Sequence, residues 1–173
     1  MKECEPVKIN WQDNQEYMAL VADLMATEDV QSLSEFKQHH YSDRLSHSIN
    51  VSYRSFLLAK KWRGDTRATA RAGLLHDLFH YDWRLEKMGE GTHAYVHPRV
   101  ALRNARKLTD ISPLEEDIIV KHMFGATIAP PRYKESYIVT LVDKYCACEE
   151  VVVPIYNKFK LKATSYLVGA KMG

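Results

Sequence analysis

The chain has 173 residues and a mass of 20.0 kDa, which suits one domain that can close its own core. Hydrophobic residues make up 46% and charged residues 27%, and only 7 Gly and 6 Pro are present, so the composition excludes a disordered, collagenous or low-complexity chain. The formal net charge of +2 is too small to indicate a nucleic-acid or membrane partner. Function must therefore be sought in individual sites.

The amino terminus and the apolar runs favour a soluble protein. Residues 1–6 include two glutamates, and no apolar block follows them, which fits neither a secretory signal nor a transit peptide. The longest apolar runs are far short of the roughly 18 residues that a spanning helix needs. We therefore expect a cytoplasmic location and no membrane partner.

Residues that typically begin and end helices predict an all-α fold in the first third of the chain. One or two helices are expected early, near 15–25 and 30–39, from their apolar spacing. Asp43 is placed to cap a helix that runs to about Trp62, and Gly64 stands at the position after its C-cap.

Small residues and prolines mark the next helices. A helix over about 66–78 carries Gly73, where another helix can approach closely. Pro98 suits the first position of a further helix. Ser112 begins a capping box with proline at the first helical position, and its helix is expected to end near Gly125.

The last part of the chain completes a compact helical bundle. A helix over about 133–151 and another after Pro154 have apolar spacing suited to packing. We expect about six to nine helices in a single domain over residues 1–173, with its core at 43–150 and helical extensions on both sides.

The adjacent residues His76 and Asp77 lie within an apolar stretch, residues 72–79. An imidazole and a carboxylate are costly to bury without partners. One interpretation is a core histidine that pairs with its neighbour or with Arg71, and the other is a functional site.

Similar polar groups fall on or near the apolar stripes of four other predicted helices. Groups from five helices can converge at the centre of a bundle. Nitrogen and oxygen ligands without thiolate suit Fe, Mn, Zn or Co and argue against a structural cysteine-based zinc site. The additional groups are His47, His97, His122 and Asp143.

The order and local context of these residues resemble the HD superfamily of metal-dependent phosphohydrolases, over about residues 43–150. The minimal family pattern is one His, the His-Asp pair and a late Asp, which holds one metal, and the further histidines resemble the subset that holds two. The matching segments, in chain order, are RLSHSINVS, RAGLLHDL, HPRVA, VKHM and TLVDKY.

The resemblance implies an HD-type bundle with two divalent transition metals, which can be Fe, Mn, Co or Zn. It also implies hydrolysis of a phosphoester or phosphoanhydride bond in a nucleotide-like substrate by a metal-bound hydroxide. Asp77 would bridge the two metals and so be catalytic, and the second metal would be held by His97 and His122. The first metal would be held by His47, His76, Asp77 and Asp143.

Some positions depart from the family pattern. Many relatives carry Lys three residues after the His-Asp pair, where this chain has His80. His80 can act as an acid or base beside the metals, or it can cap the turn that begins at Tyr81. No Gly-Tyr-Pro signature is present, which disfavours the cyclic-di-GMP phosphodiesterases, and the spacing of the motifs is most like bacterial diadenosine tetraphosphate hydrolases. His39, His40 and His93 match no family position and are interpreted as surface or loop residues.

Four cations are candidates for contacts with substrate phosphates. Lys144 follows the late Asp as in many relatives, and Arg54 lies about two helical turns beyond His47. Lys121 and Arg132 flank the His122 region. Each can instead be an ordinary solvated surface charge.

Two other functions stay open. A di-iron oxygenase is the first, because the same His and Asp set serves oxygen chemistry in a minority of HD-like proteins. The second is a nucleotide-binding regulator without catalysis, which the missing Lys after the His-Asp pair motivates. The expected partner is a nucleotide or another phosphorylated small molecule, and whether the chain forms a homodimer is left open.

Overall fold

The computed structural model describes residues 10–39, 42–85 and 90–169, with only the backbone for residues 39, 159 and 161–169. Residues 1–6 and His40 lie outside the described part, as does the side chain of His39. The all-α prediction is confirmed, since the described part holds seven helices, two 3-10 turns and one short ribbon. The helices are α1 (Gln15–Met25), α2 (Glu28–Gln31), α3 (Arg44–Lys61), α4 (Thr66–Leu75), α5 (His93–Leu108), α6 (Pro113–Lys121) and α7 (Lys134–Gly169). The 3-10 turns span Trp11–Asp13 and Ser32–Glu35, and the antiparallel ribbon joins β1 (Lys37–His39) to β2 (Ser42–Asp43).

Side-chain caps start α3 and α6 where the sequence predicts them. The Asp43 carboxylate accepts a hydrogen bond from the backbone N–H of Ser46 at 2.8 Å. The Ser112 hydroxyl accepts from the backbone N–H of Glu115 at 3.3 Å, and the Glu115 carboxylate accepts from the Ser112 N–H at 2.9 Å. The predicted capping box is therefore complete.

The close packing of α3 against α4 forms the middle of the core. A Cβ on Gly73 would lie 3.0 Å from the Cα of Ser52, tighter than ordinary carbon contacts, so the predicted close approach at Gly73 is confirmed. Fully buried apolar side chains surround this contact, among them Val51, Phe56, Leu74, Leu75, Ile118 and Ile138.

The helix predicted over 30–39 is wrong. Val30 and Leu33 are fully buried, as a helical pattern suggests, but α2 and one 3-10 turn are enough to bury both. The chain then extends into β1, where Lys37 pairs with Asp43 of β2, and α3 begins directly after β2. The apolar spacing was thus real, but it covered only two short turns.

The end of α3 differs from the prediction by one residue. Arg63, not Gly64, takes the left-handed conformation, with φ of 53°. The N–H of Gly64 bonds to the carbonyl of Ala59 at 2.8 Å, as in a Schellman motif. Position 64 favours glycine for a steric reason instead, because a Cβ there would lie 2.8 Å from the Oε1 of Glu135.

Prolines sit inside two helices instead of opening them. α5 begins at His93, five residues before Pro98, and α7 continues through Pro154. A helical proline frees one carbonyl of the preceding turn. In α5 the missing hydrogen bond lies near the start of the helix. In α7 the proline lies in a stretch, 151–156, that is exposed to water or half-buried. No helix among the described residues combines the length and apolarity needed to cross a bilayer.

Candidate metal centre

Five helices bring all six predicted metal ligands to one buried place. His47 comes from α3, His97 from α5 and Asp143 from α7. His76 and His122 are the C-cap residues of α4 and α6, so these helices end earlier than the predicted residues 78 and 125. The residues His47, His76, Asp77, His97, His122 and Asp143 are all at most 9% exposed.

One half of the centre gathers around Asp143. Its Oδ1 lies 3.1 Å from the Nε2 of His47 and 3.6 Å from the Nε2 of His76. The Oδ2 of Asp77 is 3.7 Å from the same His76 nitrogen. These four residues are the set that the sequence assigns to the first metal.

The other half gathers around the second carboxylate oxygen of Asp77. Its Oδ1 lies 3.3 Å from the Nε2 of His97 and 3.6 Å from the Nε2 of His122. Asp77 therefore turns one oxygen toward each half, which is the geometry that a bridging carboxylate requires.

Backbone carbonyls fix the tautomers of three of these histidines. The Nδ1 of His76, His97 and His122 lies 2.7 to 2.8 Å from the carbonyl of residue 73, 93 or 119, respectively. A carbonyl only accepts, so each Nδ1 carries the proton and each Nε2 directs a lone pair into the centre. This is the usual outer support of a metal-bound histidine.

Buried atoms in the centre fit a cation. Among the described residues, His76 Nε2 and Asp77 Oδ1 have no hydrogen-bond donor, although both are buried. Such orphaned acceptors are costly unless a ligand satisfies them. Two groups of ligand atoms are close enough to share an ion, His47 with His76 and Asp143, and His76 with Asp77 and His122.

Burial and neighbouring charges set the charge states in the centre. Burial, together with the nearby His76 and His97, lowers the pKa of His122 to about 3, so its imidazole is neutral near pH 7. Burial alone would raise the pKa of Asp77, but the neighbouring His76 and His97 outweigh it and hold that pKa well below its usual value. Burial alone would lower the pKa of His47 and His76, but the nearby carboxylates outweigh it, raising the pKa of His47 to about 10 and that of His76 above its usual value. Neutral imidazoles and ionised carboxylates are the forms that bind metals. These two imidazoles must therefore lose a proton to bind a metal, whereas His122 and Asp77 already have the charge state that a metal requires.

Glu150 is a partner of the centre that the sequence analysis missed. Its Oε1 accepts a hydrogen bond from the Nδ1 of His47 at 2.9 Å. A carboxylate behind a histidine ligand orients the ring and raises its basicity. The signal in the sequence was the spacing, because Glu150 stands seven residues after Asp143 and so on the same face of α7.

Gln38 and Arg44 were also missed, because they act through the ribbon that the sequence did not predict. The Nε2 of Gln38 donates to Asp77 Oδ2, and the Nε of Arg44 donates to Gln38 Oε1 at 2.9 Å. Arg44 is fully buried and also donates to the carbonyls of Phe79 and Tyr81. The ribbon is thereby tied to the metal centre.

His93 is not the surface or loop residue that the sequence suggested. It is the first residue of α5, half-buried, and its ring stacks on His97 at 4.3 Å between centroids. Trp83 stacks on its other side at 4.7 Å. Helix α5 begins upstream of Pro98, which is why His93 falls one helical turn from His97.

A cavity of about 250 Å³ opens onto the second half of the centre. Lys144 lines it, as expected for a substrate contact, and its Nζ donates to the carbonyl of His122 at 3.1 Å. The other lining residues are Gln38, Asp77, Trp83, His93, His97, His122, Met123, Asp143 and Ala147.

His80 is not brought to this cavity. Its Nε2 lies 2.8 Å from the carbonyl of Asp29, and its ring packs against Phe36. The helix α4 has ended by residue 76, so the chain no longer has the helical spacing that would carry position 80 back to the site. The structure therefore offers no support for His80 as an acid or base beside the metals.

Three of the four candidate phosphate contacts also lie elsewhere. Arg54 is on the same face of α3 as His47, but two turns away, where it pairs with Glu149 at 2.6 Å. Lys121 and Arg132 line a separate cleft of about 310 Å³, together with Glu116 and Asp117. The spacing along α3 indicated that Arg54 shares a face with His47, but it could not predict the ion pair with Glu149.

The comparison with protein families agrees with this geometry. The HD domain model matches residues 44–148, which is more than half of the chain. No curated protein and no solved structure matches the chain. The matched span contains all six converging His and Asp residues, and the chain belongs to the HD domain family.

Proposed function

We propose that this protein is a two-metal phosphohydrolase that acts on a small nucleotide-like substrate. The observation that carries the proposal is Asp77, whose Oδ2 faces the Nε2 of His76 while its Oδ1 faces the Nε2 atoms of His97 and His122. Family membership supports metal-dependent hydrolysis in general. The geometry of Asp77 supports the two-metal form of it.

The ligand assignment follows the two halves of the centre. His47, His76, Asp77 and Asp143 would hold one cation, and Asp77, His97 and His122 the other. Two cations that share the Asp77 carboxylate would activate a water molecule and neutralise phosphate oxygens. Fe, Mn, Co and Zn all suit this set of nitrogen and oxygen ligands.

The remaining residues of the cavity would bind and orient the substrate. The Lys144 ammonium is positioned to bind a phosphate oxygen, because it lines the cavity on the side of His122. Trp83, Met123 and Ala147 provide an apolar wall suited to the organic part of the substrate. Gln38 and Arg44 would keep Asp77 oriented between the two halves.

The cavity favours a compact substrate with few phosphate groups. Its volume is about 250 Å³, and Lys144 is the one Lys or Arg among its described lining residues. A long polyphosphate chain would need more compensating charge. A phosphate ester of a single nucleoside therefore fits better than the dinucleotide tetraphosphate that the spacing of the motifs suggests.

The proposal also covers the domain organisation and the location of the protein. We propose one HD-type domain with its core at residues 43–150, helical extensions on both sides, and a cytoplasmic location where nucleotide substrates are available. The substrate is taken as a free small molecule, in line with the small net charge.

A phosphate-release assay over a panel of nucleoside mono-, di- and polyphosphates tests the function, with Mn, Co, Fe(II) or Zn supplied. We expect phosphate release with at least one of these metals, and its loss in Asp77→Asn. Asp110→Asn, which changes an exposed aspartate, is the matched control and should keep full activity.

Two outcomes would overturn the hydrolase. Oxygen consumption with oxidation of an organic substrate by an iron-loaded protein, without phosphate release, would indicate the di-iron oxygenase. Tight nucleotide binding without turnover under every metal would indicate the regulator.

A further inference from the structure

Helix α7 carries an exposed apolar stripe along the face opposite the metal centre. Its members recur every three or four residues, the spacing of one helical face. Leu141 is 58% exposed, Tyr145 55% and Val152 60%. We name this surface the α7 stripe, formed by Tyr137, Leu141, Tyr145, Cys148, Val152 and Ile155.

The second half of α7 leaves its described apolar side chains exposed or half-buried. Cys146 is the last buried residue among the side chains described in this helix, and every described side chain from 147 to 160 is exposed or half-buried. A single helix in water is only marginally stable without tertiary packing. Yet this segment carries Val152, Ile155 and Tyr156, which are apolar residues suited to an interface.

The exposed area matches what one side of a stable dimer buries. The α7 stripe together with Leu57, Val151 and Tyr156 exposes on the order of 700 Å² of side chain, close to the ~800 Å² per partner of a standard interface. A groove of about 320 Å³ between Leu57 and Tyr145 adds a recess to this surface. A second copy of the chain supplies an apolar face of the same size.

The arrangement of the α7 stripe also suits pairing with itself. Cys148 stands midway between Leu141 and Ile155, and midway between Tyr145 and Val151. In an antiparallel pair of α7 helices that cross at Cys148, Leu141 meets Ile155 and Tyr145 meets Val151 of the second copy, and Val152 lies beside the methylene chain of Lys144. We propose that the protein forms a two-fold symmetric homodimer through antiparallel α7 helices centred on Cys148.

Sedimentation equilibrium of the full chain tests the dimer. We expect a mass of twice 20.0 kDa for the native sequence and a monomer for the double variant Leu141→Lys with Val152→Lys. Ile128→Lys is the matched control, because Ile128 is 98% exposed but lies outside the α7 stripe, and it should stay dimeric. Circular dichroism of each variant shows that the helices are retained.

Cross-linking tests the antiparallel register. In a chain with Cys4→Ser and Cys146→Ala, Cys148 is the one remaining cysteine. We expect a short bismaleimide to join two chains efficiently through Cys148, and no product in the further variant Cys148→Ser.

Three results would overturn the proposal. A native chain that is monomeric at all concentrations would show that the α7 stripe does not pair with a second copy. A dimer that survives the double lysine variant, or one that Cys148 does not cross-link, would place the interface elsewhere. These readouts do not depend on metal content or on phosphate release, so the dimer and the proposed function can fail separately.

Discussion

The Nε2 atoms of His97 and His122 lie 2.8 Å apart in a buried place. Each ring has its Nδ1 at 2.8 Å from a backbone carbonyl, so the form of each ring that binds a metal through Nε2 keeps its proton on that side. Two lone pairs therefore face each other, with Asp77 Oδ1 beside them. A cation bound here would replace this repulsive contact with a set of ligand bonds.

Removal of metal should accordingly destabilise the fold. A ligand present at 100 times its dissociation constant stabilises the native state by about 3 kcal/mol. For a chain of this length we expect chelation to lower Tm by about 5–10 °C. Differential scanning calorimetry with and without a chelator measures it, and added Mn or Co should restore the original Tm. A Tm that responds neither to the chelator nor to added metal would argue against an occupied centre.

Loss of the Glu150 carboxylate should weaken metal binding without touching a proposed ligand. Glu150→Ala removes the acceptor behind His47, and we expect the metal Kd to rise about 10- to 100-fold. Glu150→Gln keeps an acceptor oxygen and should have a smaller effect. Glu149→Gln is the control, because the neighbouring Glu149 pairs with Arg54 outside the cavity. Equal affinities in the variants of Glu150 and Glu149 would contradict the role of Glu150.

Glycine at position 63 should stabilise the protein. Arg63 holds a left-handed φ of 53°, which costs a non-glycine residue about 1 kcal/mol. We therefore expect Arg63→Gly to raise the free energy of unfolding by about 0.5–1 kcal/mol in urea denaturation. Gly64→Ala should do the opposite, because its Cβ would displace Glu135 Oε1, which accepts from the N–H of Asp65. A destabilised Arg63→Gly would mean that the arginine side chain contributes more than its backbone costs.

The two described cysteines should differ in reactivity. Burial raises the pKa of the Cys146 thiol to about 12, so at pH 8 it stays protonated and unreactive. Cys148 is exposed. In the monomeric variant Leu141→Lys with Val152→Lys, peptide mass spectrometry after brief iodoacetamide treatment at pH 8 should find Cys148 modified and Cys146 intact. Rapid modification of Cys146 in the folded protein would show that α7 opens around it.

The sequence could predict what local patterns determine. Asp43 and Ser112 cap helices because their side chains satisfy backbone groups close by in the chain. The six convergent residues were found because polar groups on apolar stripes must meet inside a bundle.

What the sequence could not predict depends on contacts between distant segments. Gln38 reaches Asp77 only because a ribbon replaces the expected helix. Arg54 shares a helix face with His47, yet its guanidinium forms an ion pair with Glu149 of α7. Pro98 and Pro154 look like helix starts in the sequence, but their surroundings tolerate a lost hydrogen bond.

Metal content per chain tests the central claim most directly. Elemental analysis of protein purified without chelators or a metal-affinity step should find about two transition-metal ions per chain. Asp77→Ala should lose both, whereas His97→Ala should retain the ion of the Asp143 half. No metal in the native chain even after reconstitution, or equal losses in the two variants, would contradict a centre bridged by Asp77.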